Sequence, residues 1–195
     1  ITDVKLYTGM GYNNAQRYAR DENYLYQMPK EHRKPAVNIV QTMDHLTGRP
    51  IDVMDQKTFI VHRGMTMPLP DSPDYDPQKT GWVKKIIDAK VGDKLKPLGF
   101  LSTTDNFGTA RSFAWHPSRK ETAEVVFTIE ATRGLALSRS MTNYQSEKEV
   151  VLPRNGSFTV IGKEIVRKAP DVQSPQVDRT NESPIIHIKL RQDDE

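Results

Sequence analysis

The sequence predicts an α+β fold in which helices come first and strands follow. No proline or glycine interrupts residues 12–28, where tyrosine and leucine recur near helical spacing. Beyond Pro97, short runs of β-branched and aromatic residues alternate with turn residues, as in successive strands. Because the two kinds of element are separated along the chain, an α+β architecture is favoured over alternating α/β.

The N-terminal region predicts two helices. The first covers Tyr12–Met28, with Asn13 or Asn14 as its N-cap. The second opens at Pro35, because proline suits the first turn of a helix, and it ends at Gly48.

The pattern changes at residue 58. TFIVHRG (58–64) is typical of a strand and is closed by a glycine. Four prolines in MTMPLPDSPDYDPQKTG (65–81) predict an extended loop. WVKKIIDA (82–89) then predicts a short helix.

The second half of the chain predicts five strands with short turns between them. These are GFLSTT (99–104), AEVVFTIEA (123–131), KEVVLP (148–153), SFTVIGKEIV (157–166) and PIIHIKL (184–190). The polar, proline-containing residues 168–184 predict a loop or hairpin before the last strand.

Length and composition favour one domain with one core. The chain has 195 residues, of which 36% are hydrophobic, and carries a net charge of +3. It contains no cysteine, which excludes disulfides, thiolate chemistry and a zinc ribbon. No apolar run approaches the roughly 20 residues of a membrane span, and no signal peptide opens the chain. Since the first residue is Ile1, we expect a domain cut from a longer polypeptide, or a processed form.

Three of the strand segments carry polar residues that suit one cleft. Arg63 ends an apolar stripe, and Ser102 shares a strand face with Thr104. Glu147 and Glu149 are two residues apart and would lie on one face of a strand, where like charges repel. A cation, a hydroxyl and carboxylates together suit an anionic ligand whose bond-breaking step creates positive charge.

In this order, the motifs resemble those of the Arg-Ser-Glu class of mono-ADP-ribosyltransferases, which includes the cholera-toxin-like enzymes. YTGMGYNNAQRYAR (7–20) resembles the opening helical segment of that class, and VHRG (61–64) its arginine strand. FLSTT (100–104) resembles its Ser-Thr-Ser strand, with threonine at the third hydroxyl position, and SEKEVVLPRNGSFTV (146–160) its catalytic strand. The resemblance indicates a bacterial or phage toxin or effector.

The resemblance also implies an architecture. We expect the ADP-ribosyltransferase fold, with N-terminal helices packed on a mixed or antiparallel two-sheet β core around an NAD cleft. One catalytic domain would occupy residues 1–195, helical over 1–50 and mainly β over 58–195.

By resemblance, NAD is the co-substrate and several residues take roles in binding and cleaving it. Glu149 matches the catalytic glutamate, and Ser102 the serine that orients it. Arg63 matches the arginine that anchors NAD, and the Gly64 backbone would meet the nicotinamide amide, which would explain the missing side chain. The other residues expected to bind NAD are Thr103, Thr104 and Arg111.

The resemblance assigns the acceptor to the first glutamate of the pair. Glu147 would engage the guanidinium of a target-protein arginine as general base. Tyr144, in the turn SRSMTNYQ (138–145), could contact the acceptor. We expect Phe113 and Trp115 in the core, the His62 ring away from the site, and no metal.

Three alternatives remain at this point. The same chemistry could act on RNA, since lysines and arginines cluster and the pI is near 9.0. The domain could also be a plain NAD glycohydrolase or a non-catalytic binding module. As a toxin it would be secreted or delivered into a target cell, act in the cytoplasm there, and have a cognate immunity protein or antitoxin.

Overall fold

The computed structural model describes residues 2–9, 11–51, 58–68, 85–97, 99–114, 122–137, 148–154, 156–166 and 185–193. The N-terminal part is helical, as predicted. Its elements are α1 (Thr2–Tyr7), α2 (Tyr12–Arg20), a 3-10 helix (Glu22–Gln27) and α3 (Lys30–Thr47).

The single helix predicted over Tyr12–Met28 is wrong, because the chain divides into two elements at Asp21. That residue is extended, with φ −146° and ψ 107°. Its carboxylate accepts a hydrogen bond from the Asn23 amide at 3.0 Å, which caps the 3-10 helix. The cap predicted at Asn13 or Asn14 is also wrong, since α2 begins at Tyr12 and has no side-chain cap.

Helix α3 begins earlier than predicted. It starts at Lys30, directly after Pro29, and Pro35 lies inside it. Proline lacks an amide hydrogen, so Pro35 gives up one bond of the helix without ending it. The predicted end at Gly48 is confirmed, and the Gly48 amide donates to the Asp44 carbonyl at 3.1 Å.

The remaining elements are mainly strands. They are β1 (Phe59–Pro68), β2 (Lys94–Leu95), β3 (Leu101–Thr104), α4 (Phe107–Ala114), β4 (Thr122–Ala131), β5 (Leu135–Ala136), β6 (Glu149–Leu152), β7 (Phe158–Val166) and β8 (Ile185–Gln192). The loop predicted to start at Met65 is wrong at its beginning, because β1 continues to Pro68. Of the helix predicted over 82–89, residues 85–88 are helical, and 82–84 lie outside the described residues. Helix α4 was not predicted.

The strands form one hydrogen-bonded network in the order β2-β7-β8-β4-β1-β3-β6-β5. All neighbours are antiparallel except β4 and β8, which are parallel. Strands β1 and β3 are joined by one residue pair, His62 with Thr104. The two sheets expected from the sequence therefore correspond to a five-strand part, ending at β1, and a three-strand part, β3-β6-β5.

The three-strand part lies between the helices and the five-strand part. One of its faces, with Leu101, Val150 and Leu152, belongs to the main hydrophobic core. Its other face, with Val151, packs in a second cluster with Tyr7 and other residues of the N-terminal helices. Since side chains alternate along a strand, Ser102 and Glu149 lie on the face that looks toward the helices.

Among the described residues, no helix combines the length and apolar character needed to cross a membrane.

Candidate active site

A cavity of about 540 Å³ opens between the N-terminal helices, the strands and α4. Its volume is within the usual range for small-molecule sites. Six residues predicted from the sequence line it: Arg63, Gly64, Ser102, Thr103, Thr104 and Glu149. The other lining residues are Thr8, Gly9, Tyr12, Asn13, His62, Met65, Ala110 and Phe113.

Arg63 joins β1 to β3 at the base of this cavity. Its Nη1 donates a hydrogen bond of 2.6 Å to the backbone carbonyl of Ser102. Its Nε is buried and has no hydrogen-bond partner among the described residues. Burial lowers the pKa of Arg63, while Tyr12 and Tyr7 act in the opposite direction. The guanidinium stays charged, because arginine side chains are not deprotonated in proteins. A cation with a buried, unused donor is suited to an anionic ligand.

The Ser102 side chain is supported from α1 and α2. Its Oγ is buried without a well-aligned hydrogen bond to a described residue. Burial raises the pKa of the fully buried Tyr7, and the nearby Ser102 hydroxyl opposes that rise. Gln16 Nε2 donates to Tyr7 Oη at 2.7 Å and to the Phe100 carbonyl at 3.0 Å.

Tyr7 and Gln16 are therefore part of the site's support, although sequence reasoning did not single them out. Gln16 is buried next to Ala15 on a helix whose other buried positions are alanines. A glutamine among alanines on the buried face is the signal that could have identified it, since buried polar groups need partners.

Glu149 is the first residue of β6 and pairs with Thr104 of β3. It is half-buried and lines the cavity. The preceding residue, Lys148, has φ 44°, which is rare for residues other than glycine. Its Nζ lies 3.5 Å from an Asp105 oxygen. The chain thus enters β6 through a sharp change of direction.

This change of direction corrects one premise of the sequence argument. The prediction that Glu147 and Glu149 share a strand face assumed extended backbone between them. Because Lys148 is not extended, strand alternation does not reach back to Glu147. Both Glu147 and Tyr144, the residues expected to contact the acceptor, lie outside the described residues.

The two threonines are held by local hydrogen bonds. Thr103 Oγ1 donates to the Val150 carbonyl at 2.6 Å, which ties β3 to β6. Thr104 Oγ1 accepts from the Asn106 amide at 3.1 Å, just before α4 begins. Both hydroxyls have a structural role that does not depend on a ligand.

Gly64 has a structural explanation that differs from the predicted one. A Cβ atom at this position would lie 1.6 Å from the Ala110 carbonyl oxygen of α4. Close packing of α4 on β1 is sufficient to require glycine, without any contact to nicotinamide. Arg111 of the same helix is exposed and does not line the cavity.

Two aromatic predictions have different outcomes. Phe113 was expected in the core, but it is 57% exposed and lines the cavity, so that prediction is wrong. Trp115 lies outside the described residues. The His62 ring is 3.0 Å from Thr128 Oγ1 and packs edge-on against Phe107, although His62 also lines the cavity. No group of three or more potential metal ligands occurs within the part of the chain that the structure describes.

The sequence places this chain among the ADP-ribosyltransferases. The sequence profile of the ADP-ribosyltransferase exoenzyme family matches residues 2–188, and the chain belongs to this family. Membership makes the protein an NAD-dependent ADP-ribosylating enzyme of the toxin type, which confirms the class predicted from the sequence. No curated protein sequence matches the chain.

Solved structures of bacterial toxins have the same fold. The Vis toxin of Vibrio splendidus superimposes with a TM-score of 0.64 at 17% identity, covering 99% of this chain and 72% of that one. Exoenzyme S of Pseudomonas aeruginosa superimposes with a TM-score of 0.57 at 19% identity, covering 97% of this chain and 71% of that one. The Salmonella SpvB domain gives 0.59 at 15% identity, covering 99% and 98%. These similarities confirm the predicted ADP-ribosyltransferase fold.

Proposed function

We propose that this domain transfers a single ADP-ribose from NAD to arginine side chains of a target protein. The observation that carries the proposal is the meeting of Arg63, Ser102 and Glu149 in one cavity, because each comes from a different strand. These are the residue types that the reaction needs: a cation for the donor's phosphates, a hydroxyl, and a carboxylate beside the ribose.

In this proposal Arg63 anchors NAD. Its guanidinium is charged and has a buried, unused Nε donor, and a planar guanidinium can bind two oxygens at once. Phe113 presents an exposed ring at the same cavity and would offer a flat surface to the nicotinamide. The complex of exoenzyme S with Carba-NAD supports an NAD site in this fold.

Glu149 would act on the bond that breaks. The bond between ribose C1′ and the nicotinamide nitrogen cleaves, and its electron pair leaves with nicotinamide. Positive charge then develops on the ribose, so a carboxylate beside the ring stabilises the transition state more than the ground state. Ser102, supported by Tyr7, would hold the Glu149 carboxylate in place.

Glu147 would act on the acceptor. A guanidinium nitrogen forms the new bond to C1′, and its proton passes to the Glu147 carboxylate. The Vis toxin has been crystallised with agmatine, which carries the same guanidinium group as arginine. That complex supports an arginine-like acceptor over RNA.

The experiment incubates the purified domain with labelled NAD and a whole-cell extract, and then digests the products with protease or with nuclease. We expect label to be released by protease only, and the labelled bond to be cleaved by hydroxylamine, as for ADP-ribosyl-arginine. Label released by nuclease only would replace the protein acceptor by RNA, and free ADP-ribose alone would indicate a glycohydrolase.

Glu147→Gln tests the division of roles in the same assay. We expect it to lose most transfer to arginine yet keep part of the NAD hydrolysis, whereas Glu149→Gln loses both. Equal loss of both activities in Glu147→Gln would instead assign Glu147 to the donor side.

The toxin relatives also support a place of action. The domain would be secreted or delivered into a target cell and modify its acceptor in the cytoplasm there. A cognate immunity protein in the producing cell remains a prediction, and expression of the wild-type domain with and without neighbouring genes would test it.

A further inference from the structure

A second cavity of about 570 Å³ lies on the other side of Arg63, within the main core. Its deeper walls are buried and apolar, and they come from three strands. Phe127 and Ile129 belong to β4, Leu190 to β8 and Leu101 to β3. Apart from Arg63, these walls offer no hydrogen-bonding side chain to a polar ligand, so they suit a hydrocarbon.

The rim of this second cavity is positively charged. Lys85, Lys94 and Lys96 are exposed residues that line it, and no described lining residue is acidic. Lys94 Nζ is 2.7 Å from an Asp193 oxygen, which neutralises its charge. Lys85 and Lys96 make no ion pair with any described residue and are available to an anion.

Arg63 connects the two cavities. It lines both of them, and its buried Nε has no hydrogen-bond partner among the described residues. A ligand in the second cavity would therefore change the surroundings of the guanidinium that faces the first.

We propose that the second cavity binds an alkyl chain carrying one anionic head group. The chain occupies the space between Phe127, Ile129 and Leu190, and the head group lies between Lys85 and Lys96. The same chemistry is found in a free fatty acid and in an anionic membrane lipid. The binding step rests on this cavity alone, and its effect on NAD binding rests on the function proposed above.

The test measures binding of monomeric dodecanoate, decanoate and octanoate by calorimetry in the absence of NAD. We expect affinity to rise about fourfold for each buried methylene added, because burial of hydrocarbon drives binding. Dodecyltrimethylammonium, with the same chain and opposite charge, is expected to bind at least about tenfold more weakly, since the rim is cationic. Equal affinity for both amphiphiles, or no dependence on chain length, would overturn the proposal.

Charge-reversal variants test the rim without touching the core. Lys85→Glu with Lys96→Glu is expected to weaken dodecanoate binding about tenfold or more, because two attractive charges become repulsive. The control is Lys34→Glu with Lys90→Glu, which makes the same change in net charge at exposed residues outside the cavity. Equal weakening of dodecanoate binding in both double variants would show that the effect depends on net charge alone, and it would overturn the proposed site.

Two further arms separate the source of the ligand and its coupling to the first cavity. Binding to vesicles of phosphatidylcholine, with and without phosphatidylglycerol, is compared with binding of the free acid, which separates a membrane lipid from a fatty acid as the ligand. The proposal is overturned if the domain binds neither the vesicles nor the free acid. NAD affinity, measured with and without dodecanoate, is expected to change about fivefold or more, by a reciprocal coupling. Binding of dodecanoate with unchanged NAD affinity would overturn the coupling through Arg63 but leave the transferase function intact.

Discussion

The hydrogen bonds around Tyr7 have a direction. Gln16 Nε2 can only donate, so Tyr7 Oη accepts from it at 2.7 Å. The Ser102 hydroxyl lies near Tyr7, and Ser102 shares the helix-facing side of the three-strand part with Glu149. We propose that this buried tyrosine, which no substrate atom needs to touch, positions Ser102 and through it the predicted catalytic carboxylate.

Tyr7→Phe tests this support of Ser102 at the residue scale. We expect kcat for NAD hydrolysis to fall about tenfold, because a lost buried hydrogen bond of about 1–3 kcal/mol acts on the Glu149 carboxylate. The dissociation constant for NAD should change less than about twofold. Tyr26→Phe, at a side chain that is 76% exposed, is the control and should leave both quantities unchanged. A rise in the dissociation constant with unchanged kcat would mean that Tyr7 supports binding and not Glu149.

Residue types at strand positions point to three residues that the structure brings to one cavity, while their roles stay a prediction. Arg63, Ser102 and Glu149 could be selected from the sequence, because a cation, a hydroxyl and a carboxylate at strand positions suit the reaction. Tyr7 could not, since it lies next to Ser102, which is far away in sequence, and Gln16 offers only the signal of a glutamine among buried alanines. For Gly64, a glycine was expected for ligand contact, whereas the clash with Ala110 is a property of packing.

At the scale of elements, α4 positions the first cavity by lying directly on β1. Ala110 and Ala114 form a small cluster with Val126 of β4, next to Gly64. Small side chains on both surfaces let the helix approach the strand closely, and the same helix carries Phe113 to the cavity.

Gly64→Ala should therefore disturb α4 and not only the backbone near NAD. We expect a loss of about 2–3 kcal/mol in the free energy of unfolding, because the added Cβ would overlap the Ala110 carbonyl oxygen. Urea unfolding measures this loss. Gly162→Ala is the matched control, since its Cβ would meet only the Lys189 side chain at 3.4 Å or more, and it should change stability by less than about 1 kcal/mol. Full stability of Gly64→Ala with loss of NAD binding would instead support the ligand-contact explanation.

A second element-scale feature joins the end of β6 to the helices. Arg154 follows β6 and forms a two-pronged ion pair with Asp44 of α3, with Nε and Nη2 each 2.9 Å from a carboxylate oxygen. The Arg154 side chain is 15% exposed. The pair holds the strand that carries Glu149 against the helical wall of the cavity.

A double-mutant cycle on Arg154→Ala and Asp44→Ala measures the strength of this connection. We expect a coupling energy of about 1–2 kcal/mol, since the pair is well aligned and its arginine is mostly shielded from water. The control cycle uses Lys148 and Asp105, which are 3.5 Å apart with Lys148 72% exposed, and should give less than about 0.5 kcal/mol. Similar values for the two pairs would show that Arg154 makes only an ordinary surface ion pair.

Elements were predicted well where periodicity and turn residues agree. They were predicted poorly where a local hydrogen bond determines the point at which an element begins or ends. Gly48 ended α3 as expected, but the Asp21 cap divided a run that contains no proline or glycine. Helix α4 was missed because its sequence, FGTARSFA (107–114), follows a strand and no proline marks its start. The segment also contains few strong helix formers.

At the scale of the whole molecule, the predicted order of helices and strands was sufficient for the fold class but not for the topology. The parallel pairing of β4 with β8 connects strands that are more than fifty residues apart. A single residue pair, His62 with Thr104, joins the two parts of the strand network, and it lies next to Arg63. Neither contact leaves a periodic signal in the sequence. The family resemblance, and not periodicity, predicted the two-sheet arrangement.

The most direct test of the proposed activity incubates the purified domain with adenine-labelled NAD and agmatine. Wild-type protein is expected to form both ADP-ribosyl-agmatine and free ADP-ribose. Glu149→Gln should reduce both by about a thousandfold or more, because the charge that stabilises the transition state is gone. Glu164→Gln removes an exposed carboxylate on β7 and should retain full activity as the control. If Glu149→Gln remained active, or if the wild-type protein left NAD intact, the assignment of catalysis to this cavity would be contradicted.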